Sequence, residues 1–260
     1  MPDATIDVAE CMRRGAVGAV GAVPGTLAAH PADVLKIRQQ LSGLSLAKTV
    51  VGMDGISSLY GGVRAGVLQK ITTRGPMFLA SELFTQGVEH GAGLERNRAL
   101  FVGSALSGYC TGFLAAGFEW SKVQGGMAAA SSTSTSPVAS STRRLLVRHG
   151  AGLRNGVFDA TFFGSEYAAR QQWGWTPALS YGAAAALAVT LDFPLDAAVK
   201  QSMAAAPSEV PTRGPLAATL ALVRERRLGV FAGLGAKACE FAISYSVTGA
   251  CSTHVTRWLS

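Results

Sequence analysis

Charge is scarce in this chain. Asp, Glu, Lys and Arg make up 15% of its 260 residues, against roughly 25% in ordinary soluble domains. Hydrophobic residues reach 48% and the mean hydropathy is positive, at +0.27, so a membrane protein is expected. Histidine and cysteine are equally sparse, four of each. Cys11, Cys110, Cys239 and Cys251 form no CxxC pair and do not alternate with histidine at metal-ligand spacing, which excludes the common zinc frameworks and predicts buried, reduced thiols. Enzyme signatures are missing too. There is no Gly-x-Ser-x-Gly elbow, phosphate loop or His-Glu-x-x-His pair, so no catalytic residue and no metal is assigned. The glycines near 15–25 follow no strand-like run, as a dinucleotide fingerprint requires. The start, MPDATIDVAECMRR, has an early acid and no long apolar run, unlike a secretory signal, and lacks the Arg-rich, acid-poor pattern of a presequence. Any organelle targeting is expected to be internal.

What charge there is leans basic. The net charge is +7 and the pI near 9.5. The clusters Arg143, Arg144, Arg148 and Arg224, Arg226, Arg227 lie between apolar stretches, where positive charge marks membrane loops that are not translocated. No aromatic-interleaved basic patch accompanies them, and nucleic acid is excluded as a partner.

Three runs carry no charge at all: 15–32, 99–118 and 171–191. Each is long enough to cross a bilayer core of about 30 Å as a helix, and each ends at an acid: Asp33, Glu119, and Asp192 with Asp196. Between and after them lie helical segments that carry charge, near 63–87 (Arg64, Lys70, Arg74, Glu82), 153–172 (Arg154, Asp159, Glu166, Arg170) and 229–257 (Lys237, Glu240). Charge inside a membrane helix is costly and normally faces a wet cavity or a partner, so six helices are expected, the even ones facing inward. Gly18 with Ala22, and Ser104 with Gly108, give the four-residue spacing of small residues that lets helices approach closely. The Ala/Ser/Thr-rich stretch 126–142 reads as a loop.

The first uncharged run closes in Pro31-Ala32-Asp33-Val34-Leu35-Lys36-Ile37-Arg38-Gln39-Gln40. After the second comes Gly117-Phe118-Glu119-Trp120-Ser121-Lys122, and after the third Pro194-Leu195-Asp196-Ala197-Ala198-Val199-Lys200. Further on, Asp54-Gly55 through Tyr60-Gly61 has its partial counterpart in Gly229-Val230-Phe231-Ala232-Gly233. With Arg154 as register mark the equivalents are Gln69 and Glu240, 85 and 86 residues away. A repeat of that period over nearly the whole chain points to a repeat-built fold.

These features resemble the mitochondrial carrier family, whose signature is proline–x–acid–x–x–base–x–base followed by a glutamine. The resemblance implies an all-α fold of six transmembrane helices in three pseudo-symmetric pairs, over 1–95, 96–172 and 173–260, as one domain in the inner mitochondrial membrane. It also implies a matrix gate in which Asp33 pairs with Lys122 and Asp196 with Lys36. Glu119 then faces Val199, unless Lys200 turns toward it. Pro31 and Pro194 kink their helices, and Gln40 completes the first signature. A gate at the opposite end is reduced to a single pair, Glu82 with Arg170. Substrate-contact positions fall at Gln69, Lys70, Arg154, Asn155 and Glu240, where Glu240 replaces the family's usual arginine and is expected to meet a substrate ammonium, or Arg154 or Lys237. Two functions follow as alternatives. In the first, a barrel that has lost transport serves as an accessory subunit of a respiratory-chain or ATP synthase type complex. In the second, an active carrier exchanges a small anionic or zwitterionic metabolite. Membrane lipids are partners in both, with a bound phospholipid such as cardiolipin in place of any cofactor.

Overall fold

The computed structural model describes residues 5–42, 55, 59–60, 63–130, 141–204, 214–231 and 233–259. Among the described residues there are seven α-helices and no strand. They are α1 (Val8–Ser42), α2 (Val63–Ala92), α3 (Arg96–Ala130), α4 (Ser141–Trp173), α5 (Pro177–Ala204), the short α6 (Pro215–Arg226) and α7 (Leu234–Leu259). A 3-10 turn, Arg227–Phe231, joins the last two.

The six long helices form a closed ring. Each packs on the next, α5 meets α7, and α7 returns to α1. Small residues allow this. On α1, Gly21 and Gly25 are seated against Thr248 and Ser244 of α7, so close that a Cβ at Gly25 would meet the Ser244 carbonyl oxygen. On α3, Gly108 and Gly112 meet the backbone of Asn155 and Ala151 on α4. Ser104 pairs instead with Ser81 of α2, hydroxyl to hydroxyl at 2.7 Å.

Inside the ring an aromatic cluster joins Phe78 of α2, Phe158, Phe162 and Phe163 of α4, Tyr181 of α5 and Tyr245 of α7. Buried with it are charged groups, Arg74, Glu82, Arg154, Asp159, Asp196 and Lys237 among them, while Val20, Leu27, Phe101, Leu114, Leu187 and Ile243 face outward. Water favours the reverse arrangement, since burying charge is costly and exposing apolar surface gains nothing. An apolar surrounding with a polar interior is the arrangement of a membrane protein.

Several boundaries differ from those read in the sequence. Among the described residues two helices, Arg96–Gly117 and Pro177–Met203, are long and apolar enough to cross a membrane. The uncharged run of α1 falls short because glycine, alanine, histidine and proline fill it. Residues 171–173 end α4, and the turn through Gly174, at φ +62°, precedes α5. The absence of charge alone does not reveal that turn. The expected loop at 126–142 is helical as far as Ala130 and again from Ser141, in keeping with the high helix propensity of Ala128-Ala129-Ala130. Its central part, 131–140, lies outside the described residues. All four cysteines are free, but only Cys11 is buried; Cys110 and Cys239 are exposed and Cys251 is partly so.

Candidate functional site: the charged interior

On α5, Asp192, Asp196 and Lys200 stand four residues apart and share one face. Asp196 is a hub. Its Oδ2 accepts hydrogen bonds from Lys200 Nζ at 2.9 Å and Lys237 Nζ of α7 at 2.8 Å, and its Oδ1 accepts one from Arg154 Nη1 of α4 at 3.1 Å. The Arg154 Nε and Nη2 also donate to Asn155 Oδ1, at 3.0 and 2.7 Å. Aromatic faces complete the setting. Lys237 Nζ lies 5.5 Å from the Phe193 ring centre and 5.6 Å from that of Phe241, and Lys70 Nζ lies 5.3 Å from Phe241. An ammonium beside a ring face is attracted by the ring quadrupole.

Two sets of residues that the sequence kept apart therefore meet. Arg154 and Asn155, substrate-contact candidates, share a network with Asp196, a matrix-gate candidate. Lys200 turns to Asp196, while Val199 is buried against Ala116, Val147 and Ala151. Glu240 is buried on α7, one turn beyond Lys237. Pro31 and Pro194 lie inside α1 and α5, where each removes one backbone donor from its helix. The side chains of Asp33, Lys36, Gln40, Gln69, Glu119 and Lys122 lie outside the described residues, and with them the pairs Asp33–Lys122 and Asp196–Lys36.

At the other end of the ring the expected bond between Glu82 and Arg170 is not made. One nitrogen of Arg96, at the start of α3, straddles both Glu82 oxygens at 2.7 and 2.8 Å, and Gln86 Nε2 donates to Glu82 at 2.9 Å. Arg14 of α1 approaches within 3.8 Å. Arg170 pairs with Glu166, one turn back on its own helix, at 3.2 Å. The nearer partners win because each is held by a helix already packed beside the acid. Arg14 and Arg96 are each about a third exposed, so water screens the gain. Glu82→Gln is expected to cost about 1–2 kcal/mol, read as a lower Tm in detergent whose deficit shrinks at high salt. An unchanged Tm at low salt would refute a stabilising role.

Three interior charges had been given no role from the sequence. Arg74 of α2 is 3% exposed. Its Nη1 donates to Thr248 Oγ1 at 3.0 Å and its Nη2 to Ser244 Oγ at 2.7 Å, and its guanidinium carbon lies 4.0 Å from the Tyr245 ring centre. Among the described residues it has no carboxylate partner. Asp159 of α4 is 2% exposed and its Oδ2 has no hydrogen-bond partner. Asp192 Oδ1 is likewise without one, its nearest cation being Lys237 Nζ at 4.0 Å. The signal that could have found all three was simply charge within a membrane-length helix.

No curated protein matches the chain. Residues 8–91, which take in α1 and nearly all of α2, match the family model described as mitochondrial carrier protein, so this part of the chain is similar to that family.

Proposed function

We propose that the chain spans the inner mitochondrial membrane as six helices in three two-helix repeats, over 1–95, 96–172 and 173–260, and carries a small charged metabolite across it. The observation that supports this reading is that two buried carboxylate oxygens, Asp159 Oδ2 and Asp192 Oδ1, accept no hydrogen bond among the described residues, the second having only Lys237 Nζ at 4.0 Å. A barrel kept only for its packing gains nothing from them, because a buried acceptor left without a donor costs its desolvation. A carrier has a use for such atoms, since a ligand shifts a conformational equilibrium only by binding one state better than another. The hub at Asp196 is a bond set that such a ligand would disturb. The experiment is counter-exchange in liposomes loaded with a panel of small anions and zwitterions. Saturable uptake of at least one compound is expected, and no uptake across the panel would overturn the reading.

A second reading, an accessory subunit of a respiratory-chain or ATP synthase type complex, draws on the opposite end of the ring. There Glu82 is taken up by Arg96 and Arg170 by Glu166, which leaves no ion pair between Glu82 and Arg170 to open and close. Native gel fractionation of mitochondria separates the two readings. Comigration with a large complex favours the subunit, and migration as a free monomer rules it out.

A further inference from the structure

Six helices close the ring, and the short α6 is left at its edge. Leu222 anchors it, buried against Ala198 of α5 and Val230 of the 3-10 turn, while a Cβ at Gly150 of α4 would lie 3.3 Å from Pro215 Cβ. The stretch of α5 from Pro177 to Ala197 rises about 30 Å as a helix, the thickness of a bilayer core. Just before its start stand Trp173 and Trp175, with ring centres 5.3 Å apart. Tryptophans so placed mark one membrane interface, which puts α6 at the level of the other. On the side of α6 opposite Leu222, Leu216 and Leu220 are 62% and 59% exposed, and Arg224 continues their stripe. Arg224, Arg226 and Arg227 are all exposed, with Glu225 the single acid of α6 and the turn after it. Arg227 adopts a left-handed φ of +49°, a strained conformation for a residue other than glycine, and its N–H closes on the Val223 carbonyl. Arg144 and Arg148, exposed on the first turns of α4, add to the positive charge of this end.

We infer that α6 lies in the plane of the membrane surface and docks on an anionic lipid leaflet, with Leu216 and Leu220 entering the acyl boundary and Arg224, Arg226 and Arg227 meeting headgroup phosphates. This rests on the chain spanning a membrane, and it holds whether or not the chain transports. The helix dipole favours cations in a last turn, but it gives no reason for two bare leucines on the same stripe. Water gives none either, since apolar side chains gain nothing from it. An acidic protein segment would suit the arginines, yet at the edge of a bilayer lipid is the neighbour always present. A leaflet answers both features, because anionic headgroups attract each nearby arginine and the acyl boundary takes the leucines. Leu222 fixes the rotation that presents them. It rests on Ala198, two residues beyond Asp196, so a leaflet that holds α6 also braces the end of α5 that carries the ion hub.

The test is amide hydrogen exchange of the full-length protein in nanodiscs of phosphatidylcholine, alone or with about one fifth phosphatidylglycerol. Exchange in α6 is expected to be about tenfold slower in the anionic discs, with the α1–α7 seam exchanging alike in both as an internal reference. High salt should remove most of the difference. Arg224→Gln, Arg226→Gln and Arg227→Gln together should abolish it, and Leu216→Ser with Leu220→Ser should reduce it while the arginines remain. All five side chains are exposed and Leu222 is kept, so both variants should melt with the parent. The parent in the two discs decides the matter even where a variant does not fold. Equal α6 exchange in the two discs, or a parental difference in the arginine variant, would overturn the inference. So would an equal slowing in neutral discs on adding polyglutamate, which would make the surface one for an acidic protein segment. Long helices that stay protected while α6 ignores lipid charge would defeat the leaflet alone. Long helices exchanging freely in both discs would defeat the membrane-spanning reading.

Discussion

Asp196→Asn is expected to destabilise the protein by about 3–5 kcal/mol, a fall in Tm on the order of 10 °C for a chain of this size. The carboxylate is the shared acceptor of Arg154, Lys200 and Lys237. The asparagine keeps the shape but loses the charge, and its amide presents donors where three cations already crowd. Lys200 is half exposed and escapes to solvent, but Arg154 and Lys237 are buried and have no such exit. Breaking one side of a buried ion network is costly because of the charges it strands, more than because of the bonds it removes. The double change Asp196→Asn with Lys237→Met should therefore recover a measurable part of the loss. A thermal melt of the three proteins in one detergent decides it. If the double variant is no better than the single, the cost lies in packing and the hub is not an electrostatic unit.

The second large effect is expected at the seam between α1 and α7. Gly25→Val introduces a branched side chain where even a Cβ would collide with the Ser244 carbonyl oxygen. A flexible side chain could move aside, but a helix backbone cannot, so the helices must separate. The Thr248 hydroxyl, which donates to the Gly21 carbonyl at 3.0 Å across the same seam, would lose its geometry. Overpacking of this kind costs about 1–3 kcal/mol, and the upper end applies where the obstacle is backbone. Gly25→Ala should fall in between, while Gly87→Ala, with nothing within 4 Å of its Cβ, should be neutral or slightly stabilising. Equal melts for Gly25→Val and Gly87→Ala would show that the seam does not depend on close approach.

Much of this was legible in the sequence, and the rest was not for definable reasons. The long helices showed as membrane-length segments, and the small-residue spacing announced close packing, although Gly21 and Gly25, rather than Gly18 and Ala22, make the seam with α7. The aligned acids and bases of the repeat suggested ion pairs between neighbouring copies. Asp196 indeed sits in an ion network, but with Lys237 and Arg154, because side-chain reach and the rotation of each helix choose the partner. Periodicity carries neither. Glu82 illustrates the same limit. A family pattern points it at Arg170, yet Arg96 sits just across the turn between α2 and α3. Arg74 and Asp159 were visible as charges in helices and still had no role, because a missing partner is a fact of three dimensions.

Ring closure also has a consequence for how the molecule is made. The bond from Thr248 to Gly21 spans 227 residues, nearly the length of the chain. Contacts of such separation form slowly, since the loop entropy must be met before the contact gives anything back. Through most of synthesis the glycine face of α1 has no protein neighbour and Arg74 lacks the two hydroxyls that hold it. Completion waits for α7, which is made after the other helices described here.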